Sequence, residues 1–258
     1  MALALCPAQV GVVRRPRRGE ARCELLQGSE AGGWEEALDA LQAWIEANDL
    51  RSVRADMAVS SRFVRFALVP WTDKRLTTVQ ERAWIRLQLE ACNGDMDGWR
   101  MAAAPAQYGR PRVACAMPDA LTERWHGLWR ARELSGGALM PYFLYAWNRW
   151  YRRTGPGRLL GVSESDRIVW ASHGPHGWQS LRVAAARAGA AELPVLAALE
   201  HRLLGLPGKP AAMLHAPGCP AAGTPDVSVA QGGRMDWLAC TPMQEPAPLA
   251  MARLVAAA

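Results

Sequence analysis

The residues of this chain that could do chemistry are few and scattered. Glu164 and Asp166 lie two apart in the polar turn Ser163-Glu164-Ser165-Asp166-Arg167, where the acids of a single hairpin are expected to face water. His173 and His176 stand three apart in His173-Gly174-Pro175-His176-Gly177; they could touch a metal, but no third ligand accompanies them, and a solvated turn is the expected reading. Gly205-Leu206-Pro207-Gly208-Lys209-Pro210 brushes against a phosphate-binding loop, yet proline follows the lysine and the spacing fails, which leaves a proline-rich turn. His126, His201 and His215 are isolated and read as structural histidines. The six cysteines, Cys6, Cys23, Cys92, Cys115, Cys219 and Cys240, contain no Cys-x-x-Cys pair, so zinc ribbons and dithiol redox motifs are unsupported and the thiols read as small buried hydrophobes. No Gly-x-Ser-x-Gly elbow and no Cys–His arrangement stands out. The sequence predicts neither a catalytic residue nor a metal site.

The elements that must position these groups follow from hydrophobic periodicity. Leu3 to Leu26 reads as two or three short strands, with the basic Arg14-Arg15-Pro16-Arg17-Arg18-Gly19 in a loop. Trp34, Leu38, Leu41 and Ile45 form one helical stripe, with Glu35 and Glu36 in the first turn where they favour the positive end of the helix dipole. Val53 to Val59 alternates at period two, and Phe63 to Val69 is an apolar run broken only by Arg65 and closed by Pro70-Trp71. Thr77 or Thr78 can cap a helix through Cys92, with Glu81 as capping-box partner of Thr78. Strands near 99–103 and 112–117, a helix from Pro118-Asp119 and a helix carrying Leu139, Phe143, Ala146 and Trp150 come next. Strands at 158–163, 167–172 and 178–184, a helix over 192–204 and strands at 211–215 and 235–240 complete the pattern.

The two halves share an order: three strands, a helix, a strand. Repeated βββαβ units are the topology of actin-like (ribonuclease H-like) lobes flanking a cleft, an α/β class. The expected division is a first lobe over 1–135 carrying an inserted strand–helix–strand–strand block, a boundary at Ser135-Gly136-Gly137, a second lobe over 136–241 and a loosely packed tail over 242–258.

Actin-like enzymes hold phosphates in two hairpin turns, where glycine admits close backbone N–H groups and an acid positions Mg²⁺. The first hairpin here, Cys6-Pro7-Ala8-Gln9-Val10-Gly11, has no acid, and Pro7 removes a donor. The second, Ser163 to Arg167, has acids and no glycine. ATP hydrolysis is not expected; nucleotide binding without turnover stays open, and no cofactor is predicted.

The segment Ser60-Ser61-Arg62-Phe63-Val64-Arg65-Phe66-Ala67-Leu68-Val69-Pro70-Trp71 resembles a signature of PilM-type and GspL-type proteins, the actin-like cytoplasmic scaffolds of type IV pilus and type II secretion machines. Relatives there tend to read Ser-Asn-His-Phe-Val-Arg-Tyr, a short apolar strand, then Pro-Trp. Pro141-Tyr142-Phe143 through Asn148-Arg149-Trp150 and Gly177-Trp178-Gln179-Ser180-Leu181-Arg182 are similar in flavour, and the likeness spans about residues 3–215. It implies a catalytically silent adaptor that binds the cytoplasmic segment of a bitopic inner-membrane protein, beside a motor ATPase. It also implies a cytoplasmic location held to the inner membrane through that partner, since the chain shows no apolar run long enough to span a bilayer and no secretory leader.

Arg65 and Trp71 are the candidate partner-binding residues. A guanidinium inside an apolar strand is costly unless paired; Arg65 either meets a partner's carboxylate or carbonyls beside Trp71, or pairs with an acid of this chain, for instance on the Glu35–Glu46 helix. Two rival readings remain: an actin-like ATPase or phosphotransferase with a degenerate site, and an arginine-rich nucleic-acid-binding accessory protein. The latter rests on a net charge of +6 in which Lys74 and Lys209 alone among 30 basic residues are not arginine.

Overall fold

Ala2–Cys6 (β1) carries no polar side chain and is buried along its whole length, as a strand covered on both faces must be. It is the centre of a five-stranded sheet. Gln9–Arg14 (β2) pairs with it antiparallel and Arg22–Gln27 (β3) continues the meander, while Asp56–Val59 (β4) and Leu139–Pro141 (β8) add parallel strands on the other side, giving the order β3-β2-β1-β4-β8. The computed structural model describes residues 1–15, 20–28, 33–134, 137–164, 166–185, 192–206, 208–217, 234–238 and 245–258. Expectations for Arg17, Arg18, the Ser135-Gly136 boundary, Ser165, Pro207, Cys219, Cys240 and positions 242–244 fall outside these residues.

Between β4 and β8 lie Ser61–Phe63, one 3-10 turn, then Arg65–Val69 (β5), Thr78–Asn93 (α2), Trp99–Ala103 (β6), Arg112–Pro118 (β7) and Asp119–Ala131 (α3). Strands β5, β7 and β6 form an antiparallel three-stranded sheet. One face, with Ala67, Val69, Ala114 and Ala116, packs on Leu89 of α2. The opposite face carries Phe66, Leu68, Val113, Cys115 and Met117, as the register requires. Helix α2 is capped by Thr77, whose hydroxyl accepts from the Gln80 amide while Gln80 returns to the Thr77 amide. The capping box is thus Thr77–Gln80, one position before the Thr78–Glu81 box expected, because Glu81 is taken by Arg112 at 2.6 Å.

The second sheet repeats the first. Leu159–Ser163 (β9), Arg167–Gly174 (β10) and Gly177–Ala185 (β11) form the meander, and Ala211–His215 (β12) and Arg234–Trp237 (β13) run parallel to β9, in the order β11-β10-β9-β12-β13. Trp34–Ala47 (α1) and Leu193–Leu203 (α5) occupy equivalent places before β4 and β12. The stripe Leu38, Leu41 and Ile45 of α1 is buried against the first sheet. This is the duplicated α/β architecture of actin-like lobes.

Tyr142–Thr154 (α4), after β8, packs on β9 and β12, while Ala247–Ala256 (α6), after β13, returns to β1 and β2. Each lobe therefore lends a helix to the other, and α4 and α6 touch where they cross. Two expectations change. Strand β8 belongs to the first sheet, so that lobe extends past 135; three residues ending in proline are too short to show a period. Residues 247–256 are a helix that buries Ala250, Met251, Ala252, Leu254 and Val255, where a loosely packed tail was expected. Gly11 of β2 makes this packing possible, since a Cβ there would overlap the Pro248 carbonyl.

Candidate functional site

Two places merit consideration: the lobe junction, and a groove beneath the inserted block. At the junction the β1–β2 turn is Pro7-Ala8, with Ala8 at a φ of 58° and its carbonyl accepting from the Gly28 amide at 2.6 Å. Gln9 is occupied by Gln27 at 2.9 Å. This turn supplies no glycine amide and no acid toward the cleft.

The β9–β10 turn does not hold its acids in solvent. The Glu164 carboxylate crosses to the first lobe, where it accepts from the Ser60 hydroxyl and from the Ser61 amide at 3.0 and 3.1 Å. Asp166 pairs with Arg62 at 2.7 Å. Burial pushes the Glu164 carboxyl above its ordinary value, the Ser60 and Ser61 bonds pull it back, and Asp166 adds to the rise. The buried Cys6 thiol is pushed up by its own burial and by nearby Glu164, and it donates to Met251 Sδ of α6 at 3.4 Å. The expected solvated acids are thus an interlobe clasp, because the Ser60–Phe63 turn presents donors at the mouth of the second hairpin. A carboxylate of this chain thus occupies the Ser61 amide and the Ser60 hydroxyl. Among the described residues no group of three His, Cys, Asp or Glu side chains is placed to hold a metal ion.

The second place is a cavity of about 690 Å³. Its floor is the face of the three-stranded sheet turned away from α2, with Ala102, Val113, Cys115 and Met117; its wall comes from His126 of α3, Met140 of β8, and Leu144 and Trp147 of α4. Trp178 of β11 closes one end, stacked on Trp147 at 3.9 Å between ring centroids. The lining includes the consecutive residues Ala102 to Pro105, so the cavity follows the outer edge of β6, which no strand pairs among the described residues. Cys115 is no nucleophile here, since burial pushes its thiol to about 11.

Arg65 and Trp71 are not brought together. They lie at opposite ends of β5, roughly 20 Å apart along an extended chain. The Arg65 guanidinium sits 5.0 Å from the Trp99 ring centroid and makes no ion pair among the described residues. The α1 acids are used elsewhere, Asp39 by Arg124 and Glu46 by Arg132. Trp71 is 41% exposed and meets Tyr108 edge-on.

The histidines separate. His173 is half-buried against Trp147 in a T-shaped contact, its Nε2 enclosed without a hydrogen-bond partner among the described residues, while Pro175 and His176 at the tip of the turn are exposed as expected. His215 is buried against Tyr142 Oη at 2.5 Å, and burial lowers its pKa to about 3. Helix α5 ends at Leu203 and β12 begins at Ala211, so the chain here runs from helix to strand, the reverse of a phosphate loop.

The fold is actin-like. No protein-family model matches the sequence, and no curated protein matches it. Solved structures do. The chain is similar to the PilM–PilN type IV pilus biogenesis complex, with a TM-score of 0.61, 13% identity and coverage of 99% of this chain and 97% of that one. It is similar to the cytoplasmic domain of EpsL, an inner membrane component of the Vibrio cholerae type II secretion system, with a TM-score of 0.59, 11% identity and coverage of 99% and 94%. A Bacteroides thetaiotaomicron protein with an actin-like ATPase fold also superposes, at 0.61 and 7% identity over 85% of this chain and 82% of that one. Among the described residues no helix is long and apolar enough to cross a membrane.

Proposed function

We propose that this chain is a non-catalytic cytoplasmic scaffold of a type IV pilus-like or type II secretion-like assembly, and that it binds the cytoplasmic segment of an inner-membrane partner. The observation that carries this reading is the apolar groove of about 690 Å³ running beside the unpaired edge of β6. An extended peptide entering it would add backbone hydrogen bonds along β6 and seat apolar side chains against Val113, Met117 and Leu144, with Trp147 and Trp178 as anchors at one end. The Glu164 clasp supports catalytic silence, since it uses the second hairpin for lobe contact.

The test is fluorescence anisotropy with the labelled cytoplasmic peptide of a bitopic membrane protein encoded beside this chain. Saturable binding is expected, weakened about tenfold or more by Ala102→Trp, which fills the groove. Arg65→Ala should leave affinity unchanged, because Arg65 lies on the other face of the sheet. Loss of binding in Arg65→Ala with the groove variant unaffected would move the partner to the Arg65 side. Phosphate release from Mg²⁺–ATP above background would favour the ATPase reading.

A further inference from the structure

Large apolar side chains left open to solvent fall mainly in two places. One is a stripe on α5, Val195, Leu199 and Leu203. The other is the outer end of the inserted block. There Trp71, just past β5, is 41% exposed, and Tyr108, at the tip of the β6–β7 connection, is 89% exposed. Their rings meet at 5.0 Å between centroids, so each holds the other in place although neither reaches the core.

The charges around this pair are unbalanced. Lys74, Arg75 and Arg110 are exposed and make no ion pair among the described residues. The acids nearby are Asp73, exposed, and Glu81, already held by Arg112 at 2.6 Å. Lys74, Arg110 and Arg112 line a cavity of about 390 Å³ beneath the two rings. Amphipathic rings flanked by cations in excess are the chemistry of a water–lipid boundary with anionic headgroups. Tyr108 stands almost fully in solvent beside the 41% exposed Trp71, open as groups that insert into a partner are, whereas a peptide's anchors are received into a pocket.

We propose that this end of the inserted block seats on the surface of an anionic phospholipid bilayer, with Trp71 and Tyr108 at the headgroup boundary and Lys74, Arg75 and Arg110 on the phosphates. The contact is independent of the peptide groove but continuous with it. Arg110 and Arg112 also line a smaller cavity of about 250 Å³ that shares Trp147 and Trp178 with the groove. A membrane partner's segment leaving the groove along this connection would reach the bilayer where the two rings enter it.

Co-sedimentation of the full chain with vesicles, with no partner peptide present, tests the contact. The protein should pellet with phosphatidylglycerol–phosphatidylcholine vesicles and not with phosphatidylcholine alone, and added salt should weaken it. Trp71→Ala/Tyr108→Ala and Lys74→Glu/Arg110→Glu should each lower partitioning about tenfold. Reversal of two exposed arginines elsewhere, Arg51→Glu/Arg153→Glu, should lower it far less, and circular dichroism should show all variants folded. Absence of pelleting, equal pelleting with both lipids, an unaffected ring variant, or an equal loss in the control reversal would each overturn the proposal. So would saturable binding of a soluble polyglutamate peptide lost in the same variants, which would give the surface to an acidic protein segment. Because the partner peptide is left out, these outcomes leave the groove reading standing or falling by its own assay.

Discussion

The Ser61 amide of the first lobe donates to the Glu164 carboxylate of the second at 3.0 Å, across more than a hundred residues of sequence. The Ser60 hydroxyl joins it, and Arg62 with Asp166 forms a second bond alongside. The β9–β10 turn thus faces the other lobe. The clasp gives the Ser60-Ser61-Arg62 segment a structural purpose.

Removing the clasp should loosen the lobe junction. Glu164→Ala leaves the Ser61 amide and Ser60 hydroxyl without their acceptor, a change that costs about 2 kcal/mol for a partly buried site. The expected result is a fall in Tm of several degrees, read by differential scanning fluorimetry at fixed pH. An unchanged Tm would mean that the contact contributes nothing net.

The same carboxyl predicts a pH trend. Its folded pKa is raised, so the native state holds this proton more tightly than the unfolded chain does. Its contribution is full below the ordinary carboxylate range and declines as pH rises through the folded pKa. Glu164→Gln keeps an acceptor for Ser61 without the titration. Plotted against pH, the stability difference between the two proteins should therefore shift in favour of Glu164→Gln as pH rises, as urea midpoints would show.

His215 should act in the opposite direction along the pH scale. Its pKa is lowered to about 3, so the unfolded chain binds the proton first. Its stabilisation is present above the ordinary histidine range and is lost as pH falls from there toward 3. His215→Gln retains a polar partner for Tyr142 and should flatten acid destabilisation between pH 7 and 4.5, followed by urea titration at each pH. A variant as acid-sensitive as the parent would exclude His215 as the cause.

Helix α6 should prove integral to the first lobe. Gly11→Ala places a methyl group against the Pro248 carbonyl, and overpacking of this kind costs about 1–3 kcal/mol. A lower denaturant midpoint with an unchanged m-value is expected.

The cysteines should differ in reactivity. Cys92 is exposed, Cys6 is buried with its thiol pushed far up, and Cys115 is held at about 11. Alkylation at pH 8, mapped by peptide mass, should label Cys92 first and Cys6 and Cys115 on the order of a hundredfold more slowly than a free thiol.

Much of the architecture is written in local patterns. The all-apolar Ala2–Cys6 run, the Leu38–Leu41–Ile45 stripe and the repeated order of strand and helix specify two like lobes, because a strand or helix must bury its apolar face against a neighbour. The lack of glycine and acid in the Pro7-Ala8 turn was equally legible, being a property of the residues themselves. What the chain could not disclose locally are meetings between distant segments. Glu164 finds Ser61, α6 settles on β2 over Gly11, and Arg65 comes to rest on Trp99 with no ion pair among the described residues. The groove has the same origin: its walls come from the inserted sheet, α3, α4 and β11, and only the packing of the lobes sets them opposite one another. Periodicity tells each element which face to bury; the partner that covers that face, or leaves it open, is decided when the lobes close.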